Sequence, residues 1–170
     1  MLRKSLVVSA LLLVTIAAFA DAPQKANRIV IKKNAHELAL YRGDVLMKTY
    51  KVAIGPGGQG FKHREGDRVT PVGHYHVIMH QPSQFHQFLR LDYPNAEDRT
   101  RFAALKASGE LPKEATIGGD IGIHGSPPQI AWKPIHKTVD WTLGCIALDD
   151  AEIDEVGSLV ADGTPVEISD

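Results

Sequence analysis

The sequence predicts a mostly β domain with two helices. Three observations carry that expectation. Short runs rich in Val, Ile, Tyr and Leu recur from Asn27 onward. Clusters of Gly, Pro, Asn and Asp separate them at short intervals. Only two stretches, 96–108 and 151–160, combine helix-forming residues with capping signals at their ends.

The elements follow in order. Residues 1–20 read as a signal peptide. Arg3 and Lys4 precede an apolar run over 5–19, and Ala18-Phe19-Ala20 supplies the small-x-small cleavage site. The apolar run is shorter than the roughly 20 residues a membrane span prefers. Cleavage after Ala20 leaves residues 21–170, one domain's worth of chain with no further candidate span. Residues 27–33 (NRIVIKK), 37–41 (ELALY) and 45–54 (VLMKTYKVAI) then form an expected antiparallel meander. Residues 55–60 (GPGGQG) end the last of these strands, the stretch through Asp67 (FKHREGD) reads as an exposed polar loop, and Thr70-Pro71-Val72-Gly73 introduces a strand over 74–80. Residues 84–91 extend the sheet. The first helix spans 96–108, with Asn95 as N-cap, Gly109 as its stop, and Phe102 and Leu105 on one face. A glycine-rich stretch ends in a short strand over 121–124, and a proline-bearing loop covers 125–139. The second helix, 151–160, follows Asp149 or Asp150 as cap and stops at Gly163; a strand over 165–168 closes the domain.

Charge excludes one class of function. Without Arg3 and Lys4 the 19 basic residues fall to 17 against 20 acidic ones, a net charge of −3. Nonspecific nucleic-acid binding needs a clear basic excess. Cysteine usage points elsewhere. Cys145 is the single cysteine of an expectedly exported chain, so no internal disulfide is possible. An unpaired thiol there is a buried inert residue, an intermolecular partner or a reactive group. A reactive thiol needs a base or a cation, since its ordinary pKa leaves little thiolate at neutral pH. Among eight histidines, His124 stands out because it ends an apolar strand and is followed by Gly125. Gly144, before Cys145, frees backbone N–H groups for an oxyanion.

These residues resemble a family. His124-Gly125, a loop, then Thr142-Leu143-Gly144-Cys145-Ile146 looks like the signature of the L,D-transpeptidase catalytic domain (YkuD-type). Thr70-Pro71-Val72-Gly73-His74-Tyr75 resembles the Thr-Pro-x-Gly-x-Tyr segment these domains carry, and the likeness extends over roughly residues 28–168. The resemblance implies a β-sandwich or barrel-like catalytic fold, no cofactor and no metal. It implies a peptidoglycan tetrapeptide as donor, an amine acceptor from a second stem peptide or a lipoprotein lysine, and a periplasmic or cell-envelope location. Water as acceptor makes a member hydrolytic. Carried over, Cys145 is the nucleophile and His124 the general base. The Gly125 carbonyl orients His124, Thr142 supports the site, and the N–H groups of Gly144 and Cys145 form the oxyanion hole. If His124 holds Cys145 as an ion pair, alkylation persists below the ordinary thiol pKa. The chain departs from the pattern at Ala147, where the family often has Arg, and at Leu143, often His. Arg90, Arg99 and Lys133 are candidates for the missing charge, and residues 81–112 for a substrate-contact insertion.

Two other readings compete. His74, His76 and His80, or His124 with Cys145, offer zinc-type ligands. Trp132, Trp141 and Tyr93 offer a stacking surface for a non-catalytic envelope module.

Overall fold

The computed structural model describes residues 24–170, so the signal peptide expected over 1–20 lies outside the described residues. Among the described residues, no helix is long and apolar enough to cross a membrane. Among the described residues, eight strands, two α-helices and two short 3-10 turns make the domain mostly β, as expected.

Alternation builds the first half. In β1 (Arg28–Lys32) Ile29 and Ile31 are fully buried, while in β2 (Glu37–Arg42) the apolar face is Leu38 and Leu40. These strands and β3 (Val45–Lys51) form the expected antiparallel meander, with Arg28 opposite Tyr41 and Glu37 opposite Lys51. The second half comprises β4 (Gly73–Ser83), β5 (His86–Leu91), β6 (Gly122–His124) and β7 (Ile146–Ala147). The C-terminal strand β8 (Pro165–Ser169) joins the halves, parallel to β1 on one side and antiparallel to β4 on the other. The strand order is β3-β2-β1-β8-β4-β5-β6-β7. Beyond β3, Ala53 bridges Ala147 with two backbone hydrogen bonds (3.0 and 2.8 Å), linking the two ends of that order. The inward faces enclose one core, which includes Tyr75, Val77, Leu89, Ile123, Ile146, Val166 and Ile168. Helix α2 (Asp150–Leu159) contributes Ile153 and Val156 to it.

Helix α1 (Ala96–Ser108) has the expected caps. The Asn95 side chain accepts from the N–H groups of Glu97 (2.9 Å) and Asp98 (3.2 Å), and Gly109 ends the helix in the left-handed region at φ 77°. Its buried residue is Asp98, not the expected apolar pair: Phe102 and Leu105 are only half-buried. The Asp98 carboxylate accepts from the Asn95 N–H, the Tyr75 hydroxyl and Arg101, which satisfies a charge that burial would otherwise penalise. Helix α2 ends at Leu159 with Val160 already extended, so Gly163 (φ 88°) belongs to the turn before β8 rather than to the helix stop.

Candidate active site

Strand pairing brings the two chemistry-bearing residues together. β6 and β7 run parallel, with Ile123 opposite Ile146 and His124 opposite Ala147. Cys145 immediately precedes β7, so the same register sets it beside Gly122, two residues from His124 on the same face of the sheet. His124 and Cys145 line one cleft of about 740 Å³, which also takes in Lys62, Phe85, Arg90, Asp120, Trp141 and Thr142.

His124 is fixed on every side. Its Nδ1 lies 2.8 Å from the Gly125 carbonyl oxygen. That acceptor requires a proton on Nδ1 and leaves the Nε2 lone pair free. Phe85 stacks on the ring at 4.6 Å between centroids, and Trp141 meets it edge-on at 5.7 Å. Burial in this aromatic surround pushes the imidazole down to about 4; the Gly125 carbonyl opposes that shift and the neighbouring His136 adds to it. Gly125 itself is buried and its N–H donates to the Phe85 carbonyl (2.9 Å), so it packs against protein rather than opening the cleft to substrate backbone.

The cysteine turn is held from the N-terminal half. The Ile54 carbonyl accepts from the N–H groups of Trp141 (3.1 Å) and Thr142 (3.2 Å), while the Ile54 N–H donates to the Asp140 carboxylate (3.1 Å). The Thr142 hydroxyl donates to the Cys145 carbonyl (2.7 Å) and accepts from the Gly144 N–H (3.2 Å). Gly144, at φ 127°, makes that tight turn possible. The Gly144 N–H is therefore already engaged by Thr142, leaving the Cys145 N–H as the candidate oxyanion donor of the expected two. Thr70, from the Thr-Pro-x-Gly segment, also backs the turn: its hydroxyl accepts from Gly55 N–H (3.0 Å) and donates to the Cys145 carbonyl (3.5 Å).

Cys145 Sγ lies 3.5 Å from the Asp120 carbonyl oxygen, to which the thiol donates. Burial pushes this thiol up to about 11, and the Gly122 N–H, Lys62 and Arg90 only partly offset it. Burial thus raises the thiol and lowers the imidazole, which opposes the expected ion pair, and the resting sulfur donates to the Asp120 carbonyl rather than to His124.

Several expectations need relocation. Lys62, in the loop read as exposed, is buried and pairs with Asp67 (2.5 Å) at the cleft wall. Arg90 lines the cleft; Arg99 is exposed on α1, and Lys133 pairs with Asp150 (2.5 Å) outside it. From residues 81–112, the β4–β5 tip (Gln81, Ser83, Gln84, Phe85) lines the cleft, whereas α1 does not. Tyr93 is buried in the core against Tyr75, so it cannot join Trp132 and Trp141 in a surface. His76 pairs with Asp92 and His80 with Asp162, and no group of three or more His, Cys, Asp or Glu converges among the described residues. The aromatic walls Phe85 and Phe88 have no local sign of that role in the sequence; Phe88 meets His124 through the β5–β6 register.

The family model for the YkuD L,D-transpeptidase catalytic domain matches residues 26–168. The chain belongs to this L,D-transpeptidase family. It is 29% identical over 132 residues to the Escherichia coli K12 protein YafK, covering 73% of this chain and 43% of that protein. The L,D-transpeptidase-family chain thus spans less than half the length of this curated relative. Among solved structures, it resembles the helical cell shape determining protein Pgp2 of Campylobacter jejuni (TM-score 0.59, 23% identity, 86% of this chain and 48% of that one). It also resembles an L,D-transpeptidase of Mycobacterium tuberculosis H37Rv (TM-score 0.56, 14% identity, 85% and 58%). At these identities the likeness establishes the L,D-transpeptidase fold.

Proposed function

We propose that the protein is an exported cysteine L,D-transpeptidase acting on peptidoglycan stem peptides. The observation that carries this reading is the convergence of Cys145 and a carbonyl-oriented His124 on one cleft. The basic, apolar and small-residue order of residues 1–20 supports export. Cys145 Sγ attacks the carbonyl at the L-centre of the diamino acid in a tetrapeptide donor, and its proton passes to His124 Nε2. The Cys145 N–H stabilises the oxyanion. Collapse breaks the peptide bond, and His124 returns the proton to the departing D-Ala amine, leaving a thioester on Cys145. An amine acceptor then attacks the thioester, with His124 again taking the proton; the C–S bond breaks, His124 returns the proton to Cys145 Sγ, and the new amide is released, while water in place of the amine yields a tripeptide acid. Thr142 and Thr70 keep the cysteine turn in place throughout.

The test is incubation of the chain lacking residues 1–20 with disaccharide tetrapeptide, and separately with a carbapenem, followed by mass analysis. A carbapenem adduct on Cys145, absent in Cys145→Ala, is the expected result. Cross-linked dimers identify a peptide amine acceptor, and tripeptides identify water. Neither adduct nor product from the wild-type protein would overturn the assignment.

A further inference from the structure

β5 brings a cation to this cleft, Arg90, and it comes as half of a pair. Ala147, two residues after the cysteine, is fully buried and bonded on both backbone groups to Ala53, so that position has no access to the cleft. On β5, Phe88 lies opposite His124 and Arg90 opposite Gly122. Gly122 is in turn the residue whose N–H faces Cys145 sulfur. Arg90 therefore shares a sheet face with His124, one strand beyond the residue beside the sulfur. Its guanidinium bonds the Asp120 carboxylate. The Arg90 side chain is 31% exposed and that of Asp120 79%, so both charges meet the cleft opening.

The rest of the cleft is charge-balanced. Lys62 is 4% exposed and committed to Asp67; Glu65 accepts from the Thr116 hydroxyl (2.6 Å). No spare cation waits for a lone carboxylate. What the opening presents is one positive and one negative group side by side, which matches a ligand carrying the opposite charges side by side. Asp120 also fixes the distance of that pair from the chemistry. It stands in the left-handed region (φ 56°), and its carbonyl accepts from the Cys145 thiol.

We infer that Arg90 and Asp120 form a recognition pair for a free α-amino-acid end, an ammonium and a carboxylate on one carbon, carried by the diamino acid of the donor peptide. This rests on the peptidoglycan reading above. In the complex Arg90 takes the ligand carboxylate in a bidentate contact, and Asp120 turns its carboxylate to the ligand ammonium.

Binding to the Cys145→Ala protein tests it, because affinity is then read apart from turnover. Titration calorimetry would compare a disaccharide tetrapeptide with its carboxyl-amidated and N-acetylated derivatives at the free end of the diamino acid. Each modification should weaken binding by about tenfold or more. Adding Arg90→Gln should abolish the amidation penalty and Arg90→Lys should restore part of it; Asp120→Asn should abolish the acetylation penalty. Equal affinity for the three ligands, no measurable binding of any, or penalties unchanged by the variants would overturn the inference. The ligand series needs no substitution at Arg90 or Asp120, so it decides the matter even if a variant folds poorly. Failure of the wild-type protein to acylate is a separate result, against the transpeptidase reading.

Discussion

At the scale of single residues, burial decides how His124 and Cys145 work. Burial favours the neutral form of each group, raising the thiol and lowering the imidazole. Iodoacetamide alkylation of Cys145 should therefore keep rising with pH through 8 to 10; a plateau below pH 7 would restore the ion pair. The His124 shift also has a stability consequence. Its folded pKa, about 4, lies below the unfolded value near 6.5. The unfolded chain thus binds the proton first as pH falls, and stability present above 6.5 is lost toward 4. The loss attributable to His124 is on the order of 3 kcal/mol. Urea unfolding of wild type and His124→Gln at pH 7 and pH 4.5 should show the smaller acid penalty in the variant. Thr142 offers another residue-scale test. Thr142→Val removes a donor and an acceptor from a buried turn, and should cost about 1–3 kcal/mol together with most of the carbapenem acylation rate. Cys145, His124 and Thr142 stand out in the sequence because a thiol, an imidazole and a hydroxyl with adjacent glycines are chemically conspicuous. Arg90 stands out only as one of three candidate cations, and Lys62 and Phe85 not at all, because contacts between distant segments put them in the cleft and nothing in their local sequence records those contacts.

At the scale of elements, short range was easier to read than long range. Asn95 and Gly109 bound α1 as expected, since caps are local hydrogen-bond chemistry. Which face the helix buries was not legible from Phe102 and Leu105, because Asp98 is anchored by Tyr75 from another strand. Asn95→Ala should cost about 1 kcal/mol in unfolding free energy while leaving carbapenem acylation unchanged, because α1 does not line the cleft. Gly122 behaves oppositely. A Cβ there would sit 2.5 Å from the Phe88 ring and 2.6 Å from the Leu89 carbonyl oxygen. Gly122→Ala should push β5 away from β6, and acylation should fall at least tenfold alongside a lower melting temperature; an unchanged rate would show that the strand spacing is not what places the sulfur.

At the scale of the whole molecule, β8 is the joint. The meander β1–β3 was readable by alternation and turn residues, but the parallel β1–β8 pairing spans almost the entire chain and has no local sign. Val166 and Ile168 are buried between β1 and β4, and Asp170 pairs with buried Lys33 at 2.7 Å. Removing residues 165–170 should abolish the cooperative thermal transition, measured by circular dichroism, rather than merely lower its midpoint. The Ala53–Ala147 bridge and the Ile54 contacts to residues 140–142 carry a consequence for assembly. The turn that carries the sulfur is made late, and its backbone is held by a segment made far earlier in the chain. That turn therefore takes its shape only once the two distant segments have docked.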